Sequence, residues 1–232
     1  MTAYYNEIDP YAAQWLRGLI THGFVPPGDV DERDIRDVRP ADLAGYDQHH
    51  FFAGIGGWGL ALRLAGWPDD RPVWTGSCPC QALSSAARGN NTAPDLWPEW
   101  RRLIVSNRPR AIFGEQVAHK DAWLDRICDD MEPLGYEVGA AVLPALSVGQ
   151  DHSRPRIYFA CHADRNSEPG LRVDAEASRV PRAQGVAGKL VPSNGVSNRV
   201  AVLRAFGNAI VPALAAEFII ATAYGPSPEV KT

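Results

Sequence analysis

The sequence lacks the features that would assign it to several special classes of protein. None of its apolar runs approaches the roughly 20 residues that a membrane-spanning helix needs. Its first ten residues, MTAYYNEIDP, lack the basic start and apolar middle of a signal peptide. Its 4 cysteines have neither zinc-ligand spacing nor the pattern of a disulfide framework. We therefore expect a cytoplasmic enzyme or binding domain with reduced thiols, no bound metal and no membrane partner.

An excess of positive charge is also absent. The net charge of −4 argues against a protein that coats nucleic acid over its whole surface. The charge is uneven, however: residues 1–47 contain nine acids and four arginines, whereas residues 171–204 contain six bases and two acids. The basic segment is a candidate surface for phosphate contacts. On charge alone, a solvated loop that happens to contain arginines explains it equally well.

Composition and periodicity indicate the fold class. Hydrophobic residues make up 45% and charged residues 22%, as in an ordinary globular protein. Strand-like and helix-like segments alternate through the first 160 residues, which predicts an α/β fold. Residues 163–200 show no periodicity and are predicted to be mostly loop. The predicted helices cover 11–20, 60–64, 97–105, 122–131 and 209–224, and the predicted strands cover 50–53, 72–75, 111–113, 140–143 and 157–161.

A glycine turn follows the strand that ends near residue 53. The run FAGIGG, from Phe52 to Gly57, then opens a helix, and this is where α/β sheets bind cofactors. Because Gly54, Gly56 and Gly59 also fit G-x-G-x-x-G, a nicotinamide or flavin enzyme is an alternative. Such an enzyme would need an acid about 20 residues further on, and a proline-flanked turn stands there instead.

Three further segments contain reactive or charged residues beside predicted strands. Cys80 follows one strand, where a thiol is well placed as a nucleophile, although most cysteines are simply buried. Glu115 follows a buried strand and is a candidate hydrogen-bonding acid, although surface exposure is commoner for glutamate. Arg154 and Arg156 lie two residues apart at the start of a strand, so they can address one anionic or planar group.

In this order, the segments resemble the DNA cytosine-5 methyltransferase family. The matching motifs are FAGIGG, the Pro-Cys-Gln loop at Cys80, Glu115-x-Val117, Arg154-x-Arg156 and Gly207-Asn208-x-x-x-Pro212. The resemblance implies a Rossmann-like, mostly parallel sheet and S-adenosylmethionine as cofactor. It also implies double-stranded DNA as substrate, with the target cytosine flipped out of the duplex. The chain is expected to act as a monomer.

The order of the motifs departs from the family in one respect. The family places two cofactor-binding motifs between the glycine turn and the Pro-Cys-Gln loop, but only 22 residues separate Gly57 from Cys80. The N-terminal run Asn6-Glu7-Ile8-Asp9, a helix and then Gly28-Asp29-Val30 are similar to the missing unit. This similarity predicts a permuted chain, in which the second and third strands precede the first. The alternative is a helical N-terminal appendage.

The resemblance assigns roles to individual residues. Cys80 would attack cytosine C6, Glu115 would hold N3 and the exocyclic amine and feed a proton to N3, and Arg156, assisted by Arg154, would steady O2. Within the cofactor site, Glu7 would bind the ribose hydroxyls, Ile8 would pack on adenine and Asp29 would accept from its amine. The full set of implied cofactor contacts is Glu7, Ile8, Asp29, Val30, Phe52, Ala53, Gly54, Ile55, Gly56, Gly57 and Asn208. The candidate DNA contacts are Gln81, Arg172, Arg179, Arg182, Lys189 and Arg199.

The resemblance also divides the chain. Residues 1–162 are predicted to form the catalytic and cofactor-binding part, in which 1–47 contribute the displaced strands. Residues 163–200 would be a short, irregular target-recognition segment, and 201–232 would return to the catalytic part. Gln116 stands where the family has asparagine, and Ala82-Leu83 where it has Pro-Phe. The alternatives are the same thiol chemistry with another one-carbon donor or RNA, and an inactive DNA-binding homologue.

Overall fold

The computed structural model describes residues 2–79, 94–117, 121–149, 155–163 and 209–223. These residues form seven strands and five helices. The strands are β1 (Ala3–Asn6), β2 (Gly28–Asp31), β3 (Gln48–Phe51), β4 (Val73–Gly76), β5 (Ala111–Val117), β6 (Tyr136–Leu143) and β7 (Arg156–Ala163). The helices are α1 (Pro10–Thr21), α2 (Gly57–Leu64), α3 (Trp97–Asn107), α4 (Asp121–Met131) and α5 (Pro212–Ala223). None of the helices in these ranges is long and apolar enough to cross a membrane.

All seven strands belong to one sheet, in the order β2-β1-β3-β4-β5-β7-β6. The first five strands in this order are parallel to one another. Strand β7 runs antiparallel to both β5 and β6. The predicted α/β class with a mostly parallel sheet is therefore confirmed.

The two strands nearest the N-terminus lie inside this sheet rather than outside it. Strand β1 pairs with β2 on one side and with β3 on the other, so that Asn6 is level with both Asp31 and Phe51. Residues 1–47 therefore contribute two strands to the sheet on this side of β3, and a purely helical appendage is excluded. The end of β1 therefore lies next to the start of the glycine turn, although about 45 residues of chain separate them.

Helices cover both faces of the sheet because side chains alternate along each strand. Tyr5, Val73, Phe113 and Tyr158 face α1, α2 and α5. Their sequence neighbours Tyr4, Trp74, Ile112 and Phe159 face α3 and α4, within a cluster that also contains Trp97, Trp100 and Trp123. The result is a three-layer arrangement of helices, sheet and helices, in which the loops with the candidate site residues lie at the strand ends.

Gly114 allows this aromatic cluster to press against β5. A Cβ atom at residue 114 would lie 2.0 Å from a ring carbon of Phe159 on the neighbouring strand. Phe159 and its neighbours Trp97 and Trp100 are fully buried, so the ring has little room to retreat. The glycine before Glu115 is thus required by packing, and it fixes the strand from which Glu115 projects.

Two adjacent histidines on β3 give the stability of the fold a dependence on pH. His50 is buried, and its Nδ1 lies 2.7 Å from the hydroxyl of Thr75. Burial, with a smaller effect from neighbouring His49, lowers the pKa of His50 to about 3. Burial also lowers the pKa of His49. His50 is therefore neutral in the folded protein at pH 5, where histidines of the unfolded chain are protonated.

We expect the free energy of unfolding to fall as the pH drops below about 6.5, because the unfolded chain then takes up more protons at these histidines than the folded protein does. The contribution from His50 is fully present above that pH and falls by about 2 kcal/mol by pH 5. Urea unfolding at pH 7.5 and pH 5 measures the difference. His50→Gln is expected to lower stability at both pH values and to reduce the difference between them. An undiminished difference in that variant would contradict the assignment.

Candidate functional site

The carboxyl ends of four parallel strands meet at one edge of the sheet. Asn6 is level with Phe51, Phe51 with Gly76, and Gly76 with Gly114. The loops that follow β1, β3 and β4, together with the end of β5, therefore lie side by side. Ligands of open α/β sheets bind in the crevice outside this edge, which makes it the candidate site.

The glycine turn after β3 presents open backbone at this edge. Gly54 has a φ of +55°, and a Cβ atom built on it would have no neighbour within 4 Å. Phe52 also has a positive φ, of 52°, which is uncommon for a residue other than glycine. Its ring stands edge-on to that of Trp100, with the ring centroids 6.3 Å apart. The contact between Phe52 and Trp100 thus holds one side of the turn, and the backbone at Gly54 is open on the other side.

Glu7 joins the end of β1 to this turn. Its Oε2 accepts a hydrogen bond of 2.6 Å from the backbone N–H of Gly54, and its Oε1 accepts one of 2.8 Å from the N–H of Asp9. Burial raises the pKa of Glu7, and the two hydrogen bonds act against that shift. Each carboxylate oxygen retains a second lone pair for the hydroxyls of a ligand. The chain segment that follows β1 therefore places a carboxylate directly against the glycine turn.

Helix α1 begins directly beside Glu7. The carboxylate of Asp9 accepts hydrogen bonds from the N–H groups of Tyr11 and Ala12, and Pro10 is the first residue of the helix. Ile8, between the two acids, is 59% exposed. This cap fixes Glu7 in place and leaves an apolar side chain free for a flat ring to pack on.

The structure places Asp29 away from this edge, contrary to its predicted contact with adenine, whereas the contact predicted for Val30 stays a prediction. Asp29 is the second of the four residues of β2, so it lies about 7 Å back from the strand's end. Its carboxylate accepts a hydrogen bond of 2.9 Å from Tyr46, which precedes β3 and so belongs to the opposite edge. The Gly-Asp pair opens β2 rather than ending it.

The turn after β2 lies beside Glu7 instead. The side-chain amide of Asn6 donates hydrogen bonds to the backbone carbonyls of Asp31 (3.2 Å) and Arg33 (2.8 Å). Asp34 and buried Ile35 follow in this turn, and they form a second Asp-hydrophobic pair that sequence reasoning passed over. A strand of four residues that begins at Gly28 ends at Asp31. That count would have placed the turn with Asp34 and Ile35 at the carboxyl end of the strand.

Glu115 and Arg156 meet across an antiparallel strand pair. Glu115 is level with Tyr158, and Val117 is level with Arg156, so that Glu115 and Arg156 are diagonal neighbours on one face. The Nε of Arg156 lies 2.8 Å from Oε1 of Glu115, whose side chain is only 8% exposed. Two residues proposed from separate sequence motifs therefore form one ion pair, in which Glu115 is buried and Arg156 is partly exposed.

Helix α5 returns the C-terminal part of the chain to the glycine turn. Its residues Leu214 and Phe218, and Ile210 before it, belong to one buried cluster with Trp58 and Leu62 of α2. The predicted cofactor contact Asn208 immediately precedes this described segment. The packing is consistent with a C-terminal return to the site, while the division of the chain into three parts stays a prediction.

Several predicted site residues lie outside the described residues, and their roles stay predictions. They are Cys80, Gln81, Arg154, Arg172, Arg179, Arg182, Lys189, Arg199 and Asn208. The target-recognition segment, 163–200, also lies outside, apart from Ala163. Within the described ranges, no group of three or more His, Cys, Asp or Glu side chains is arranged to hold a metal ion.

Comparison with known proteins identifies related sequences. The model of the C-5 cytosine-specific DNA methylase family matches residues 66–194, which is more than half of the chain. Type II methyltransferase M1.ScrFI of Lactococcus lactis subsp. cremoris is 33% identical over 162 residues, covering 66% of this chain and 33% of that protein. Type II methyltransferase M.HhaI of Haemophilus parahaemolyticus is 24% identical over 168 residues, covering 54% of this chain and 51% of that protein.

Solved structures include a DNMT2 variant from Spodoptera frugiperda. It is 15% identical, has a TM-score of 0.45, and the match covers 74% of this chain and 45% of that one. The chain spans about a third to a half of the length of the two Type II methyltransferases that it matches. The family match includes Cys80, Glu115 and Arg156.

Proposed function

The chain belongs to the C-5 cytosine-specific DNA methylase family, and from this membership we propose that it transfers a methyl group from S-adenosylmethionine to C5 of cytosine in double-stranded DNA. The observation that carries the proposal is the hydrogen bond between Glu7 and Gly54. It joins a strand from residues 1–47 to the glycine turn, which supports a cofactor pocket at this edge despite the changed order of the motifs. The ion pair of Glu115 and Arg156 lies at the same edge.

The residues at the edge fit this cofactor. The Glu7 carboxylate suits ribose hydroxyls, exposed Ile8 suits the face of adenine, and the open backbone at Gly54 gives room for the methionine end. The turn that contains Asp34 and Ile35 is the nearer candidate for the adenine edge, in place of Asp29. When bound, S-adenosylmethionine supplies an electrophilic methyl group on a sulfonium.

Cytosine C5 is too weak a nucleophile to take that methyl group unaided. In our proposal the Cys80 thiolate bonds to C6 and pushes an electron pair toward C5, which makes C5 nucleophilic. After the methyl group has been transferred to C5, a base removes the hydrogen of C5 as a proton. The C6–S bond then breaks, its two electrons return to sulfur as the C5–C6 double bond re-forms, and Cys80 is regenerated. Because C6 is inaccessible in a duplex, the base must be flipped out.

Glu115 and Arg156 act on the ring in this scheme. The carboxylate of Glu115, held against Arg156, can accept a hydrogen bond from the exocyclic amine. Arg156 places positive charge beside the base where negative charge builds on the ring during thiolate attack. Proton donation to N3 then requires Glu115 to take up a proton after the base has bound.

Transfer of tritiated methyl from S-adenosylmethionine to duplex DNA tests the proposed function. We expect label in DNA with the unaltered protein, and bisulfite sequencing of DNA from expressing cells should show where the cytosines are modified. Matched RNA and DNA substrates separate the RNA alternative. Label in RNA alone, or no label in either, would contradict the proposal.

We expect Glu7→Ala to weaken binding of S-adenosylhomocysteine about 10- to 100-fold, because charge-assisted hydrogen bonds contribute roughly 1.5–3 kcal/mol. Isothermal titration calorimetry measures the dissociation constant directly. Glu217→Ala, an exposed change on α5, serves as the matched control and should leave it unaltered. Equal affinities for the Glu7 variant and the unaltered protein would remove Glu7 from the site.

A further inference from the structure

The segment that precedes Cys80 is held by two side chains from different parts of the chain. We refer to Ser77–Pro79, which follows β4, as the stem of the Cys80 loop. The side-chain amide of Gln116 donates a hydrogen bond of 3.2 Å to the carbonyl of Cys78. The indole N–H of Trp58 donates one of 3.1 Å to the hydroxyl of Ser77. Both donors are almost completely buried, as is Cys78.

The two hydrogen bonds reach the stem from opposite faces of the sheet. Trp58 is in the first turn of α2 and packs edge-on to Tyr158, with centroids 6.2 Å apart, on the face covered by α2 and α5. Glu115 is level with Tyr158 and shares the face covered by α2 and α5. The next residue, Gln116, therefore points to the opposite face of β5. Gln116 is itself fixed, because its Oε1 accepts a hydrogen bond of 2.9 Å from the N–H of Val117.

The geometry points to Trp58 and Gln116 as positioning residues that clamp the stem and so aim the Cys80 thiol. The inference rests on the proposed function, in which a displacement of a reacting group by about 1 Å can cost 100-fold in rate. Each of these two residues would also connect the stem to a second part of the site. Trp58 joins the stem to the helix that the glycine turn opens, and Gln116 joins it to the strand that contains Glu115.

The chain offers a matched control for each residue. Gln48 is a buried glutamine whose amide donates to the carbonyl of Pro68 at 3.0 Å, away from the stem. Trp67 is a buried tryptophan whose indole N–H donates to the carbonyl of Arg71 at 3.1 Å. Gln48→Ala and Trp67→Phe therefore remove the same chemical groups and similar hydrogen bonds without touching the stem.

We expect Gln116→Ala to lower kcat about 30-fold and Trp58→Phe about 10-fold, with KM values for DNA and cofactor within about threefold. The matched controls should stay within about twofold in kcat at similar thermal stability. Because Trp58 and Ser77 share one hydrogen bond, the double variant Trp58→Phe/Ser77→Ala should lose no more than the worse single variant. Equal losses in test and control variants, or losses that multiply, would overturn the clamp.

A second readout does not depend on methyl transfer. Labelling of Cys80 by iodoacetamide, followed by peptide mass spectrometry, should change in rate at least about fivefold in Gln116→Ala, because the reactivity of a thiol depends on the surroundings in which the stem holds it. Gln48→Ala should leave the labelling rate unchanged. An inactive unaltered protein would refute the proposed function while this measurement still tested the clamp. An unchanged labelling rate in Gln116→Ala would refute the clamp alone.

Discussion

Replacing Cys80 with alanine is expected to reduce methyl transfer at least about 10⁴-fold, because removal of a covalent nucleophile abolishes the step on which the others depend. Without the sulfur, no electron pair is pushed toward C5, and binding of cofactor and DNA cannot replace that activation. Single-turnover transfer of tritiated methyl to duplex DNA measures the loss. Cys80→Ser should be almost as inactive, since a hydroxyl is scarcely ionised near neutral pH.

The same variants should still bind their ligands. Affinity for S-adenosylhomocysteine is expected to stay within about twofold, because its proposed contacts at Glu7 and Gly54 are unaltered. Cys128→Ala, which removes a half-buried thiol from α4, is the matched control and should retain full activity. Substantial methyl transfer by Cys80→Ala would show that the chemistry does not pass through this residue.

Replacing Glu115 with glutamine is expected to lower kcat about 10²- to 10³-fold. The amide keeps the size of the side chain but loses the charge that pairs with Arg156, and it cannot exchange a proton with N3. Binding of cofactor is expected to be unchanged, since Glu7 and Ile8 lie at the other end of the edge. Single-turnover rates at saturating cofactor and DNA isolate the chemical step from binding.

The buried position of Glu115 requires a control for folding. Glu137→Gln alters an exposed glutamate on β6, two strands away from β5 in the sheet, and should leave kcat unchanged. Thermal unfolding of both variants separates a catalytic loss from a structural one. If Glu115→Gln folds normally and keeps more than about a third of the rate, general acid-base catalysis by this residue is excluded.

Much of the sheet could be predicted from the sequence, because each central strand ends in a recognisable turn. The strand predicted at 72–75 is β4, shifted by one residue, and the pair predicted at 140–143 and 157–161 is β6 with β7. The placement of β1 beside β3 followed from the spacing between Gly57 and Cys80, which is too short for the family's usual insert. The position of Asp29 was predicted wrongly because the sequence alone does not show whether a Gly-Asp pair begins or ends a short strand.

The internal connections of the site could not be predicted in this way. The ion pair of Glu115 with Arg156 depends on antiparallel register between strands about 40 residues apart in the chain. Gln116 was noticed only as a departure from the family's asparagine, whereas in the fold its longer side chain reaches the carbonyl of Cys78. Such contacts depend on tertiary geometry, which local periodicity does not encode.

A covalent trap tests the central claim most directly. The protein would be incubated with S-adenosylmethionine and a DNA duplex containing 5-fluorocytosine, from which the enzyme cannot be released because fluorine does not leave as a cation. Intact mass spectrometry should show one stable protein–DNA adduct, and peptide mapping should place it on Cys80. An adduct on Cys78, Cys128 or Cys161, or none while both ligands are bound, would contradict the account.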